Sequence, residues 1–180
     1  MARLLTKYKD EVIATMMESF SFKNQMAVPK IEKIVVHMGV GKAIDEDKRL
    51  TEASETMATI TGQKARVCRA KAPIAGFHLR KGQAIGLMAT MRGRRMYEFL
   101  DRLVSAAIPR IKDFRGLSPR SFDGGGNYNF GITEHIVFPE SNADFEFTQG
   151  MDITIVVSNS SAEKSLQLLR ELGMPFAEMN

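Results

Sequence analysis

Apolar and polar residues alternate along this chain with two distinct periods, and the switch between them marks its elements. Leu5, Tyr8, Val12, Met16 and Phe20 recur three or four residues apart, which lines one face of a helix. Lys30 to Met38 is rich in β-branched residues and predicts a strand, broken by Gly39 and Gly41. Asp45 to Thr61 predicts a second helix. Its acids Asp45, Glu46 and Asp47 suit a positive helix start, Leu50, Ala53, Met57 and Ile60 or Thr61 form its apolar face, and Gly62 stops it. Ala65 to Ala70 and Ala84 to Met91 predict two more strands. In the second, Ile85, Leu87, Ala89 and Met91 share one face, while Ala84, Gly86, Met88 and Thr90 share the other. Pro73, Gly76 and Gly82 make the intervening segment an exposed loop.

Arg94 to Ile108 predicts a third helix with Met96, Phe99, Leu100, Leu103 and Ala107 inward and Pro109 near its end. An irregular stretch follows from Asp113 to Gly131, then strand-like residues at Ile132 to Phe138 and Asp152 to Val157. Ser160 and Glu163 have the spacing of a capping box. Leu166, Leu169 and Leu172 continue that last helix, and Gly173 and Pro175 end it. The order α-β-α-β-β-α-β-β-α predicts an α+β fold, with helices packed on one face of a largely antiparallel sheet. The length suits a single domain over residues 1–180.

Charge changes the picture. Thr56 to Tyr97 contains no Asp or Glu but nine basic residues: Lys64, Arg66, Arg69, Lys71, Arg80, Lys81, Arg92, Arg94 and Arg95. Ser121 to Glu163 reverses this, with seven acids and no Lys or Arg. Clustered positive charge is the footprint of a polyanion partner. The absence of a long apolar run argues against a membrane span, and the single cysteine, Cys68, excludes an internal disulfide, so a cytoplasmic setting is expected.

Catalytic chemistry finds little support. Gly39-Val40-Gly41 lacks the third glycine of a dinucleotide loop, since position 44 is Ile44. His37, His78 and His135 are widely separated, with no paired cysteine, so neither a metal nor a cofactor is expected. Cys68, between Arg66 and Arg69, has no visible base. The loop Lys71–Gly82 is different. Lys71, Arg80 and Lys81 offer cations for phosphates, Phe77 and His78 offer stacking surfaces, and Gly76 allows close backbone approach.

Nine short motifs occur in order: Lys33-Ile-Val-Val-His-Met-Gly-Val-Gly41, Thr61-Gly-Gln-Lys64, Ile74-Ala-Gly-Phe77, Arg110-Ile-Lys-Asp-Phe-Arg-Gly-Leu117, Gly126-Asn-Tyr128, Gly131-Ile-Thr-Glu134, Phe138-Pro-Glu140, Gly150-Met-Asp-Ile-Thr154 and Leu172-Gly-Met-Pro-Phe176. From about Leu4 to Phe176 the chain resembles bacterial large-subunit ribosomal protein five, the family that binds 5S ribosomal RNA. The resemblance implies a curved sheet with helices on its convex side, in the central protuberance of the large subunit. It implies 5S RNA contacts at His37, Gln63 and Thr90, with Lys33, Lys64, Arg66 and Arg92 as cationic support. The loop residues Lys71, Pro73, Ile74, Ala75, Gly76, Phe77, His78 and Arg80 would reach peptidyl-site transfer RNA. Glu140, Asp144, Phe145 and Glu146 would bridge to small-subunit protein thirteen, with Phe147 a further aromatic anchor in that loop. Further implied partners are 23S ribosomal RNA and other 5S RNA-binding proteins. Two departures stand out: His37 replaces the family's usual Asn, and Gly125 stands where Arg is more frequent. The rival classes are an RNA chaperone or RNA-modifying enzyme, which would need a catalytic constellation, and a purely protein-binding adaptor, against which the acid-free stretch speaks.

Overall fold

A computed structural model of the 180-residue chain describes residues 2–44, 46–141 and 147–177. It is an α+β fold built on an open, five-stranded antiparallel sheet in the order β2-β3-β1-β5-β4. The strands are β1 (Lys30–Gly39), β2 (Arg66–Arg69), β3 (Ala84–Met91), β4 (Tyr128–Ile132) and β5 (Met151–Ser158). The chain packs as two compact units. One comprises Met1–Ile34, Met91–Phe130 and Thr154–Asn180, and the other Val35–Thr90 and Gly131–Ile153.

In the first unit the N-terminal helical run consists of α1 (Arg3–Lys7), a wider π segment (Tyr8–Val12) and α2 (Ile13–Ser19). Its buried residues are Leu4, Val12 and Met16; Leu5, expected inward, is only half-buried. At 3.6 residues per turn, a strict spacing of four drifts by about 40° each time. The wider π turns absorb that drift, so a row spaced by four (Leu4, Tyr8, Val12, Met16) stays together. Helix α4 (Gly93–Arg102) continues into a π segment (Leu103–Ala107) and a 3₁₀ turn (Ile108–Arg110) that contains Pro109. All five of its expected inward residues are buried.

Helix α5 (Ala162–Glu171) begins where expected, but its N-cap is Ser161 and no capping side chain bonds its first turn. Ser160 instead hydrogen-bonds the hydroxyl of Ser165, which is fully buried and donates to the carbonyl of Gly126. Leu168 and Leu169 are the fully buried leucines within the helix, whereas Leu166 is only half-buried. Gly126 has φ +78°, and a Cβ there would lie 2.9 Å from the Ser161 carbonyl carbon. The turn before it closes on Asp123, whose carboxylate accepts the Gly125 and Asn127 amides and the Asn127 side chain. Burial pushes the Tyr128 and Tyr97 phenols up to about 12, with Tyr8 adding to the effect on Tyr97. Tyr8 is itself raised by burial.

The strand expected at Ile132–Phe138 lies earlier. Asn127 Oδ1 accepts the Val157 amide, and Thr154 Oγ1 donates to Asn129 Oδ1, fixing Tyr128–Ile132 as β4. His135–Val137 is instead a 3₁₀ turn, closed by Phe138 N–H donating to the His135 carbonyl.

The second unit contains α3 (Asp47–Thr61) and β2 against β3. The expected first residue of α3, Asp45, lies outside the described residues; the helix has Glu46 at its N-cap and ends at Gly62, whose φ is +68°. Met57, Ile60, Val36, Met38 and Leu87 are fully buried in this unit. Within β3, Leu87 and Ala89 face the core, while Met88 and Thr90 on the other face are half-buried.

Candidate nucleic-acid interface

The less buried face of the sheet in the second unit carries the candidate site. Antiparallel register pairs Arg66 with Met88 and Cys68 with Gly86. Paired residues share a face, so Arg66, Cys68, Gly86, Met88 and Thr90 lie together. His37 joins them from β1: a Cβ on Gly86 would lie 3.3 Å from His37 Nε2 and 2.8 Å from the Met38 carbonyl oxygen. Gly86 therefore leaves the imidazole its space. On its other side His37 Nδ1 lies 3.6 Å from Asp152 Oδ2, and a Cβ on Gly131 would lie 3.3 Å from Asp152 Oδ1. The result is a row across four strands, Gly86–His37–Asp152–Gly131, in which two polar side chains stand between two glycines. His37 and Asp152 remain 43% and 74% exposed, so both can meet a ligand. The acid is a site residue that the motif Gly150-Met-Asp152 contained but local pattern could not place beside His37.

Gln63 and Thr90 come together as well. Gln63 Nε2 donates to the Thr90 carbonyl at 2.9 Å, which fixes the amide at the strand end. The Thr90 hydroxyl makes no hydrogen bond among the described residues. Thr90 lies four residues beyond Gly86, or about 13 Å along the strand at 3.3 Å per residue. Lys64 and Arg66 are exposed beside this face.

The acid-free stretch divides on folding. Its six cations in the second unit, Lys64, Arg66, Arg69, Lys71, Arg80 and Lys81, are all exposed and form no ion pair among the described residues. The three later arginines lie in the first unit, where Arg92 pairs with Glu32 at 3.0 Å and Arg94 with Glu98 at 2.7 Å. Lys33 also belongs to the first unit, where it is half-buried. Lys33 and Arg92 are thus outside the unit that holds His37, Gln63, Lys64, Arg66 and Thr90.

The Lys71–Gly82 loop is exposed but internally folded. Ile74 and Leu79 exchange both backbone hydrogen bonds, at 2.9 and 3.1 Å, around a 3₁₀ turn at Ala75–Phe77. Lys71, Pro73, Ile74, Ala75, Gly76, Phe77, His78 and Arg80 all lie on its surface. Phe77 is 73% exposed and Ile74 46%, an unusual display for apolar side chains. Arg69 donates to the Gly82 carbonyl at the base.

Of the expected bridge residues, Glu140 is half-buried, and Asp144, Phe145 and Glu146 lie outside the described residues. The half-buried Phe147 has its ring under the Arg49 guanidinium, 3.8 Å from carbon to centroid. The buried His135 accepts the Gln149 amide at 3.1 Å, and Gln149 Nε2 donates to the Gly39 carbonyl at 2.9 Å. The described residues contain no group of three His, Cys, Asp or Glu side chains that could hold a metal.

Sequence comparison decides the family. Residues 24–80 match ribosomal protein L5, and residues 84–176 match the ribosomal L5P family C-terminus. The chain belongs to the ribosomal protein L5 family. It is 51% identical over 177 residues to large ribosomal subunit protein uL5 of Streptococcus sanguinis (strain SK36), covering 98% of each chain. The same protein of Ligilactobacillus salivarius (strain UCC118) is 50% identical, again over 98% of each. The chain is accordingly a structural protein of the large ribosomal subunit, not an enzyme. No described helix is long and apolar enough to cross a membrane.

Proposed function

We propose that this protein holds 5S ribosomal RNA in the large subunit through the exposed sheet face of its second unit. The observation that carries this reading is the Gly86–His37–Asp152–Gly131 row, flanked by exposed Lys64 and Arg66. The exposed Gly131 at one end lets an RNA edge approach the backbone, while the buried Gly86 at the other makes room for the imidazole. An exposed carboxylate beside the imidazole disfavours phosphate there, so the row suits base edges and 2′-hydroxyls, which offer donors to Asp152. Lys64 and Arg66 supply phosphate neutralisation at the border. The fixed Gln63 amide and the Thr90 hydroxyl add direction.

The Lys71–Gly82 hairpin fits a second contact, to the backbone and bases of transfer RNA in the peptidyl site. Its exposed Phe77 and Ile74 and its unpaired cations support that reading. The acidic stretch Ser121–Glu163 fits a basic protein surface, for which the family points to small-subunit protein thirteen. Contacts with 23S ribosomal RNA and with other 5S RNA-binding proteins complete the proposed setting.

Equilibrium binding of transcribed 5S RNA tests the main reading. Gln63→Ala and Thr90→Val should each weaken binding by about 1–3 kcal/mol, because each leaves an RNA group unpaired. Circular dichroism should be unchanged. His37→Asn, which restores the family's usual residue, should preserve or tighten binding. Normal affinity in both folded variants, Gln63→Ala and Thr90→Val, would remove the sheet face from the interface.

A further inference from the structure

Histidine is the side chain whose charge ordinarily changes between about pH 5 and 8, and the three in this chain stand in unlike surroundings. His135 is buried and hydrogen-bonded through Nδ1 to Gln149. His78 is exposed on the Lys71–Gly82 hairpin. His37 stands on the sheet face of the second unit, 43% exposed, with an acid at one ring nitrogen and a glycine at the other.

The two nitrogens of the His37 ring are set up for different tasks. Nδ1 lies 3.6 Å from Asp152 Oδ2, so the carboxylate is placed as counter-ion to a charged ring. Nε2 faces Gly86, where a Cβ would lie 3.3 Å away, and makes no hydrogen bond among the described residues. A neutral ring with its hydrogen on Nδ1 offers Nε2 as an acceptor, and a charged ring offers it as a donor. One proton therefore inverts what this atom presents to an incoming RNA. The surrounding elements add little other charge. On β1 the flanking residues of the same face are Val35 and Gly39. Strand β3 brings Gly86 and Met88, and β2 beyond it brings Cys68, paired with Gly86, and Arg66, paired with Met88. Strand β5 brings Asp152, with Gly131 of β4 at its far side. With a neutral ring the His37–Asp152 pair is negative, and with a charged ring it is neutral.

We infer that RNA docking on this face is linked to a proton: His37 takes one up from solvent as 5S RNA binds and returns it when the RNA leaves. Two physical effects act in the same direction. An RNA brings a field of negative charge, which favours the charged ring and disfavours an uncompensated Asp152. RNA also presents more acceptors than donors, among them phosphate and ribose oxygens, base carbonyls and ring nitrogens, and Nε2–H can donate to these. The charged form therefore binds better, so affinity rises as pH falls and is lost as pH rises. Asp152 holds the other side of the ring and keeps Nε2 aimed at the ligand. This linkage rests on the reading that the sheet face holds 5S RNA, and adds to it a regulation of that site by pH.

The test measures binding of transcribed 5S RNA to the full-length protein at constant ionic strength, across the range in which histidine changes charge. Affinity should rise about three- to tenfold from the alkaline to the acid end, and by no more than the roughly tenfold per pH unit that one proton allows. His37→Asn should remove the rise with circular dichroism unchanged, and at the alkaline end it should bind at least as well as the parent. His78→Gln should keep the rise, which separates the sheet face from the hairpin. Asp152→Asn should move the rise to lower pH, because the charged ring loses its counter-ion. Titration calorimetry in two buffers of different ionisation enthalpy should show a fraction of a proton taken up near neutral pH by the parent and none by His37→Asn. A flat profile in the parent, affinity that rises with pH, or the same profile in His37→Asn would each overturn the inference, and an unmoved profile in Asp152→Asn would overturn the part given to the acid. If the profile is flat while Gln63→Ala and Thr90→Val weaken binding, the sheet face still holds 5S RNA and the proton linkage alone is wrong. If those two variants bind normally, the sheet-face reading falls and the linkage falls with it.

Discussion

Gly86 shows how one residue without a side chain positions another. Its backbone faces the Met38 carbonyl across the sheet, and its missing Cβ is the space beside the His37 imidazole. Gly86→Ala would bring a methyl to 2.8 Å from a backbone oxygen held in the sheet, which cannot yield as a flexible side chain could. Overpacking of this kind costs about 1–3 kcal/mol. Urea unfolding should show a lowered midpoint with an unchanged slope. The 5S RNA affinity of the folded fraction should fall as well, because His37 must move. A substitution that leaves both stability and affinity intact would mean that the strand relaxes there and that His37 is not confined by Gly86. His37, Gln63 and Thr90 were legible as candidates through motif resemblance. Asp152 at their side was not, because nothing local to Gly150-Met-Asp152 marks its neighbour on β1.

Among the elements, strand β3 was legible to the residue, and from Leu87 to Met91 it alternates between buried and half-buried positions. Strand β4 was not. Tyr-Asn-Phe-Gly-Ile carries Asn and Gly, both poor strand formers, and is fixed by Asn127 and Asn129 reaching β5. The expected cap on α5 failed for a related reason, since Ser160 bonds Ser165 at the buried Gly126 turn. The helices and turns of the first unit also set its response to pH. Tyr97 and Tyr128 are held at about 12, and Tyr8 is raised, all chiefly by burial. Their folded values exceed the unfolded value of 10.0. The stability they contribute is therefore complete below about pH 10 and is lost as pH rises toward 12. Ultraviolet titration should show tyrosinate forming late, together with loss of helical circular dichroism. Ionisation of all three tyrosines near pH 10 in a folded protein would contradict their burial. Asp123 runs the other way. Hydrogen bonds from the Asn127 side chain and amide, then from Gly125, lower it, so its contribution is present above the ordinary carboxylate range and lost as acid protonates it.

At the scale of the molecule, the acid-free stretch divides its positive charge. Its six cations in the second unit are exposed without ion pairs among the described residues, whereas Arg92 and Arg94 pair with acids. Exposed pairs of that kind are worth roughly 0–1 kcal/mol, so RNA could still take Arg92 at small cost. With about four to six phosphate contacts, the log of 5S RNA affinity should fall linearly with log salt at a slope on the order of −3 to −5. Fluorescence anisotropy across a salt series measures it. A slope near zero would exclude an electrostatic interface of this size.

By itself the sequence determined the α+β order of elements, the acid-free and acidic stretches, and the family. Those follow from local periodicity, composition and motif order, which need no knowledge of distant contacts. Tertiary structure alone decided which cations remain unpaired, that Phe147 packs beneath Arg49, and that His37 stands between Gly86 and Asp152. The physical reason is that charge pairing and steric room are properties of neighbours in space. Here those neighbours come from strands and helices far apart in the chain, so no local pattern specifies them.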